Sequence, residues 1–333
     1  MLKKMLLAST LATTLFIGCS NKQYYEPLST SSLSSTSMGD ELIHYSRDGA
    51  TLASGKVLTK KQMVNLKLEK GFYFINNTNN VAITADLQGN CQIVTQKGVV
   101  NATKFSAPLV AGTIIGKQLV YVLQNNHYGV YDFSQKKIVY SNNSNKAFAI
   151  DSRIANPLPV DNLVVIPTLD GKLTILDLTT FKTAKEIYVS TETSLNNIIF
   201  LNKVNNTLIA ATPNKVLSIS ASGKKELDTS VSEVAIEGQD VFVFAKDGRI
   251  LKLNDALSIV SEKKFKFAHF SVASVGKEKV YALDKQGYLI VANHSLSKHK
   301  VYNLSEINSY AFVSNETLYF DGESINLNSL SYE

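Results

Sequence analysis

The hydrophobic pattern is clearest between Asp161 and Val189. Residues 163–168 form an apolar, β-branched run of strand length. Leu169-Asp170-Gly171 follows, and Asp and Gly tolerate the positive φ of a tight reversal. Residues 172–177 alternate around Leu173 and Ile175, residues 178–181 turn the chain again, and residues 183–189 make a third strand. Three strands alone leave one face wet and two edges unpaired. The pattern therefore predicts neighbours of the same kind.

Such units recur along the chain. Val81, Val120, Val164, Leu208, Val241, Val280 and Leu318 occupy equivalent places in an apolar strand that leads to a turn and a second strand. Their spacing of 33 to 44 residues is close to that of propeller blades, and helical stripes of period 3.6 are absent. A further apolar run precedes most copies, which gives four strands per unit. The last unit is short, and the first region has spare strands at 42–46 and 50–58 around Arg47-Asp48-Gly49. The economical reading is an all-β, seven-bladed propeller in which N-terminal strands complete the C-terminal blade. The alternative is eight blades, with residues 42–68 forming one of their own.

The N-terminus changes the picture. Lys3 and Lys4 precede an apolar stretch at 5–17, too short to span a bilayer comfortably, and Phe16-Ile17-Gly18-Cys19 resembles a bacterial lipobox. The resemblance implies a lipoprotein signal over 1–18, lipid on Cys19, and a Ser/Thr-rich tether within 19–40 before a propeller at 41–333. Such a tether would reach roughly 25 Å on average. Ser20 in place of Asp after the acylated residue favours the outer membrane, periplasmic side, of a Gram-negative envelope.

Composition narrows the function. The net charge is +6, of which Lys3 and Lys4 contribute two, leaving +4 without a basic stripe interleaved with aromatics. Nucleic acid is therefore not an expected partner. Cys91 is the one thiol besides Cys19, so no internal disulfide is expected, and its place in a strand pattern suggests a small buried hydrophobe. His44, His127, His269, His294 and His299 are scattered over different units, so no metal is expected. No phosphate loop or nucleophile elbow occurs. Asp170, Asp177 and Asp247 are best explained as turn and strand-end residues.

The unit of apolar strand, Asp-Gly turn and strand ending in Leu-Asp resembles the pyrroloquinoline-quinone-type propeller repeat. With the lipobox in front, the chain resembles the BamB-type lipoproteins, accessory to outer-membrane β-barrel assembly. It departs from them in having no Trp, where Tyr188 and Phe265 take comparable places. Having neither Trp nor a Cys pair argues against quinone-dependent dehydrogenase chemistry and leaves no cofactor expected. The resemblance implies partner contacts at Ile150 and Arg153, in the loop before Pro157, and at Glu192. The function it implies is a non-enzymatic, membrane-anchored periplasmic scaffold for an envelope complex, with the barrel-assembly machine as partner. The alternative is an envelope enzyme or small-ligand-binding propeller; a third is a surface-exposed adhesin.

Overall fold

The computed structural model describes residues 23–145, 153–192, 196–304 and 307–333. Among them are eight antiparallel sheets of four strands, one of which gains a fifth. The sheets follow the chain in order and form eight blades of a ring. First strands of neighbouring blades lie beside one another at the junctions of blades 1–2, 2–3, 5–6, 6–7 and 7–8, and the fourth strand of each blade is its most exposed. Eight apolar clusters hold the ring together, one at each junction between successive blades. The one at the junction of blades 8 and 1 joins Phe312 to Leu42, Ala50, Leu52 and Leu58, so the ring is closed.

The blade count corrects the main sequence reading of seven. The seven equivalent strands all hold their places, as the second strands of blades 2 to 8. Residues 42–64 form an additional blade 1, with strands Leu42–Tyr45, Gly49–Leu52, Val57–Thr59 and Met63–Val64. Its Asp-Gly pair misleads. In blades 4, 6 and 8, Asp170-Gly171, Asp247-Gly248 and Asp321-Gly322 join second and third strands; Asp48-Gly49 joins the first and second. The apparent repeat in blade 1 is thus out of phase by one strand.

Closure by N-terminal residues is present, but with different residues. Thr36–Ser37 pairs with Glu323–Asn326 as the outer strand of blade 8, and Met38 N–H donates to Gly322 O at 2.8 Å. Ser31–Ser32 lies parallel to His299–Asn303 as the fifth strand of blade 7. These residues fall within the stretch read as a tether. Polar Ser and Thr side chains suit an edge strand open to water, so composition alone did not reveal the pairing.

Outer strands would otherwise offer unpaired edges. In blades 2, 3, 4 and 6 a bulge interrupts the outer pairing at Val100, Val139, Ala184 and Val260. An extra residue at that point twists the edge and breaks its register. The regular outer strand of blade 5, Gly223–Asp228, carries Lys224, Lys225, Glu226 and Asp228 instead. That of blade 7 is covered by Ser31–Ser32, and those of blades 1 and 8 are two residues long. Cys91 is 1% exposed in the core between blades 2 and 3, and burial pushes its thiol up to about 12, so it packs as a small hydrophobe.

Candidate functional site: the axial funnel

Strands alternate direction, so turns between second and third strands share one face of the ring with the interblade connectors. We term it the connector face. Turns between first and second strands belong to the opposite face in blades with long inner strands. Blade 1 differs. Its inner strand spans four residues, as in blade 8, where those of blades 2 and 6, Tyr73–Thr78 and Val231–Glu237, span six and seven; what sets blade 1 apart is where its turn makes its contacts. The turn at Ser46-Arg47-Asp48 faces into the ring, as its contacts with blades 2 and 6 and with Asn156 show. Ser46 Oγ donates to Ile75 O at 2.9 Å, at the third residue of blade 2's inner strand.

From there Arg47 crosses the axis. Its guanidinium makes a two-pronged contact with the Glu233 carboxylate of blade 6, with Nη1 to Oε2 at 2.8 Å and Nη2 to Oε1. It also lies 5.8 Å from the centre of the Phe200 ring in blade 5. Both side chains of the pair are largely covered, 11% and 16% exposed. Burial pushes Glu233 up, but the charges of Arg47, Lys60 and Arg153 and the Arg47 hydrogen bond hold it below the usual glutamate range. Asp48 accepts from Asn156 Nδ2, and Asn156 Oδ1 accepts from Gly112 N–H at 2.9 Å, which ties blade 1 to blades 3 and 4.

Lys60 joins this cluster. Burial lowers its pKa, with Arg47 and Arg153 adding to the effect and Glu233 and Asp48 opposing it. Its side chain is nevertheless wet. A position in the axial opening, walled by protein but reached by water, accounts for both. The ammonium lies 5.0 Å from the centre of the Phe312 ring.

Arg153, a predicted partner contact, belongs here as well. It is half-buried, with its guanidinium 5.1 Å from the centre of the Tyr45 ring, and its carbonyl accepts from Asn197 Nδ2 at 2.6 Å. It faces the funnel rather than the outer rim. Glu192 lies on the other side of blade 4, exposed in the connector to blade 5, where Oε2 accepts from Asn214 Nδ2 at 2.6 Å. The structure thus puts Arg153 in a cross-ring cluster that does not include Glu192, although both lie in connectors of one face. Ile150 and Cys19 lie outside the described residues.

The funnel wall includes Tyr45, Tyr73, Gln124 and Arg153 around a cavity of about 90 Å³. That is well below the roughly 300 Å³ at which small-molecule sites begin. His44 stacks on Tyr73 with ring centres 4.5 Å apart, and burial lowers its pKa. Among the described residues no group of three His, Cys, Asp or Glu side chains could hold a metal ion. The cluster is suited to fixing blade 1 across the axis and to presenting Arg153 and Lys60 to an acidic group of a partner.

Sequence reasoning missed Arg47, Asp48, Lys60, Asn156 and Glu233. The available signal was Glu233 itself, a carboxylate between Val231 and the apolar run Val234-Ala235-Ile236 in an inner strand. A buried acid implies a buried cation, but not which one. The turn assignments hold: Asp177 Oδ1 accepts from Thr179 and Thr180 N–H at 2.7 and 3.0 Å. Asp170 does more than turn the chain. It accepts from Asn126 Nδ2 and Ser144 Oγ and so ties blade 4 to blade 3.

No protein-family model matches the chain. Among solved structures, BamB from Moraxella catarrhalis superposes with a TM-score of 0.66 at 16% identity, over 89% of this chain and 98% of that one. The chain has the fold of BamB. The C-terminal WD40 domain of Sif2 is similar at a TM-score of 0.63 and 10% identity, over 88% of this chain and 96% of that one. In sequence the chain is 23% and 24% identical to plasminogen-binding protein PgbB from two strains of Helicobacter pylori, covering 95% of this chain and 68% of each relative. The BamB-like propeller read from the sequence is therefore present, with eight blades.

Proposed function

We propose that the protein is a non-enzymatic scaffold of the bacterial envelope, anchored to the outer membrane through lipid on Cys19 and binding a protein partner on its connector face. The observation that carries this reading is the funnel. A ring with the fold of BamB places Arg153 and Lys60 in an axial opening pinned by an ion pair, rather than converging nucleophiles and bases there. Rigid rings with variable loops suit protein recognition. The partner we favour is a periplasmic domain of the barrel-assembly machine, because the Ile150–Arg153 loop resembles the one that BamB-type proteins use.

A photo-crosslinking amino acid at position 153, followed by mass spectrometry of the adducts, tests this. Adducts with a barrel-assembly subunit are expected, together with reduced outer-membrane barrel levels on deletion of the gene. Unchanged barrel levels and no such adduct would remove the assembly role.

The similarity to PgbB over 95% of the chain favours a second reading, a surface-displayed protein that binds plasminogen. Protease treatment of intact cells separates the two. Digestion of the protein, with saturable binding of plasminogen to the purified chain, supports display; protection supports the periplasmic scaffold.

A further inference from the structure

Residues 23–37 follow the rim of blades 6 to 8 before closing the ring. Tyr25 is buried, edge-on to Phe265 of blade 6 at 6.1 Å and to Tyr288 of blade 7 at 5.7 Å. Burial, with Asp284 adding to it, raises its pKa to about 12. Tyr25 is thus a plug between two blades and fixes where the chain leaves the ring. Cys19 is four residues before Gln23, a covalent reach of about 14 Å. A propeller held this way does not swing on a long tether; one part of its rim is kept close to any bilayer that holds the anchor.

That part of the rim, at the outer corner of the connector face, has a distinct chemistry: Lys246 lies in the turn between the second and third strands of blade 6, and residues 265–269 connect blade 6 to blade 7. Phe265, which Tyr25 touches, stands between Lys264 and Lys266 in the chain. These two lysines line an open cleft with Lys246, Phe267 and His269. All three lysines are exposed. The acid in the cleft, Asp247, is engaged by Arg249 Nε at 2.7 Å and by Lys264 Nζ at 3.9 Å, so four cations, Lys246, Arg249, Lys264 and Lys266, surround one carboxylate. Lys266 Nζ lies 4.8 Å from the centre of the Phe267 ring. Tyr24 is 45% exposed, and Leu28 is fully exposed. Cationic heads beside apolar and aromatic bodies suit the headgroup layer of a membrane. Glu26 and Glu262 are the exposed acids nearest in sequence.

We propose that this rim of blades 6 and 7 docks on anionic lipid headgroups of the membrane that carries the anchor; the inference rests on the anchored reading above. The ring then tilts, with the outer corner of its connector face at blades 6 and 7 toward the bilayer. Blades 2 and 3, diametrically opposite, point away from the bilayer, which leaves the connector-face funnel open to a partner on their side.

The test uses the full chain extracted from cells and reconstituted into phosphatidylcholine vesicles with or without phosphatidylglycerol, with an acceptor dye on the lipid headgroups. A donor dye is placed through Gln286→Cys at the proposed rim or Asn125→Cys on blade 3. Energy transfer is expected to be higher from position 286, and the difference to grow with phosphatidylglycerol. Each lysine near an anionic surface is worth roughly fivefold in association, so K246E/K264E/K266E is expected to weaken docking on the order of 100-fold and abolish the difference. Equal transfer from the two positions, or a difference indifferent to phosphatidylglycerol and to charge reversal, would overturn the proposal. The mass of the N-terminal peptide reads acylation separately: with Cys19 acylated, equal transfer defeats only the docking, whereas an unacylated peptide defeats the anchored reading and the docking with it.

Discussion

Blade 1 and the junction of blades 6 and 7 reach the same architecture by different means. At the 6–7 junction thirteen buried apolar residues interlock, among them Phe242, Phe244, Phe265 and Phe270, and Tyr25 from the N-terminal segment makes fourteen. Blade 1 has strands of four, four, three and two residues, and its two junctions bury six and five apolar residues. What it lacks in apolar burial is offset by polar ties across the axis, from Arg47 to Glu233 and from Asp48 to Asn156. A ring can therefore tolerate one thin blade if that blade is pinned from the opposite side. The comparison also locates function: the thin blade carries the polar cluster, and the thick junction carries the outer rim.

The largest effect is expected at the thick junction. Phe244 is fully buried, and Phe244→Ala should cost about 3–5 kcal/mol, read as a shift in the denaturant midpoint of the whole ring. A loss under 1 kcal/mol would mean that this core is looser than its burial implies.

Next comes the pin. Glu233→Gln leaves the Arg47 charge without its partner in a covered site and should cost about 3 kcal/mol. The pH dependence has a definite sign. The folded value of Glu233 lies below its ordinary one, so its contribution is fully present above about pH 4.3 and is lost as pH falls through the lower folded value. Acid titration of stability should show this loss in the native chain and lack it in the variant.

These two substitutions bear on what could be read from the sequence. Blades 2 to 8 were legible because their second strands are full apolar runs followed by turns whose geometry only a few residues accept; Gly171, at φ 82°, is such a turn residue. Blade 1 was ambiguous because its Asp-Gly pair sits one turn early; short strands alone did not hide blade 8, whose strands are also two to four residues long. Of the funnel, only Arg153 was identified, through the resemblance of its loop. The Arg47–Glu233 contact joins residues 186 positions apart, and periodicity along the chain carries no information about which blades face each other across an axis.

Closure offers a smaller test. Met38→Pro removes the N–H that donates to Gly322 O and should cost about 1–2 kcal/mol, loosening blades 8 and 1 while sparing the 6–7 junction. Limited proteolysis should then cut first near the closing strand.

The smallest effect separates turns that share a backbone conformation. Gly171 and Gly238 both have positive φ, but a Cβ at Gly171 would meet Ser190 O at 2.7 Å, whereas Gly238 faces open space. Gly238→Ala should cost about 1 kcal/mol, from backbone strain alone, and Gly171→Ala more. Equal thermal shifts would show that the tie between blade 4 and its connector is slack.

Native-state hydrogen exchange resolved by blade tests the cross-axis pin most directly. In the native chain, amides of residues 42–64 should exchange faster than those of 241–253 and 280–291. In Glu233→Gln, exchange in 42–64 should rise further, while 280–291 keeps its protection. If exchange rose equally in all blades, or blade 1 were unaffected, the ion pair would not be what holds blade 1 in the ring.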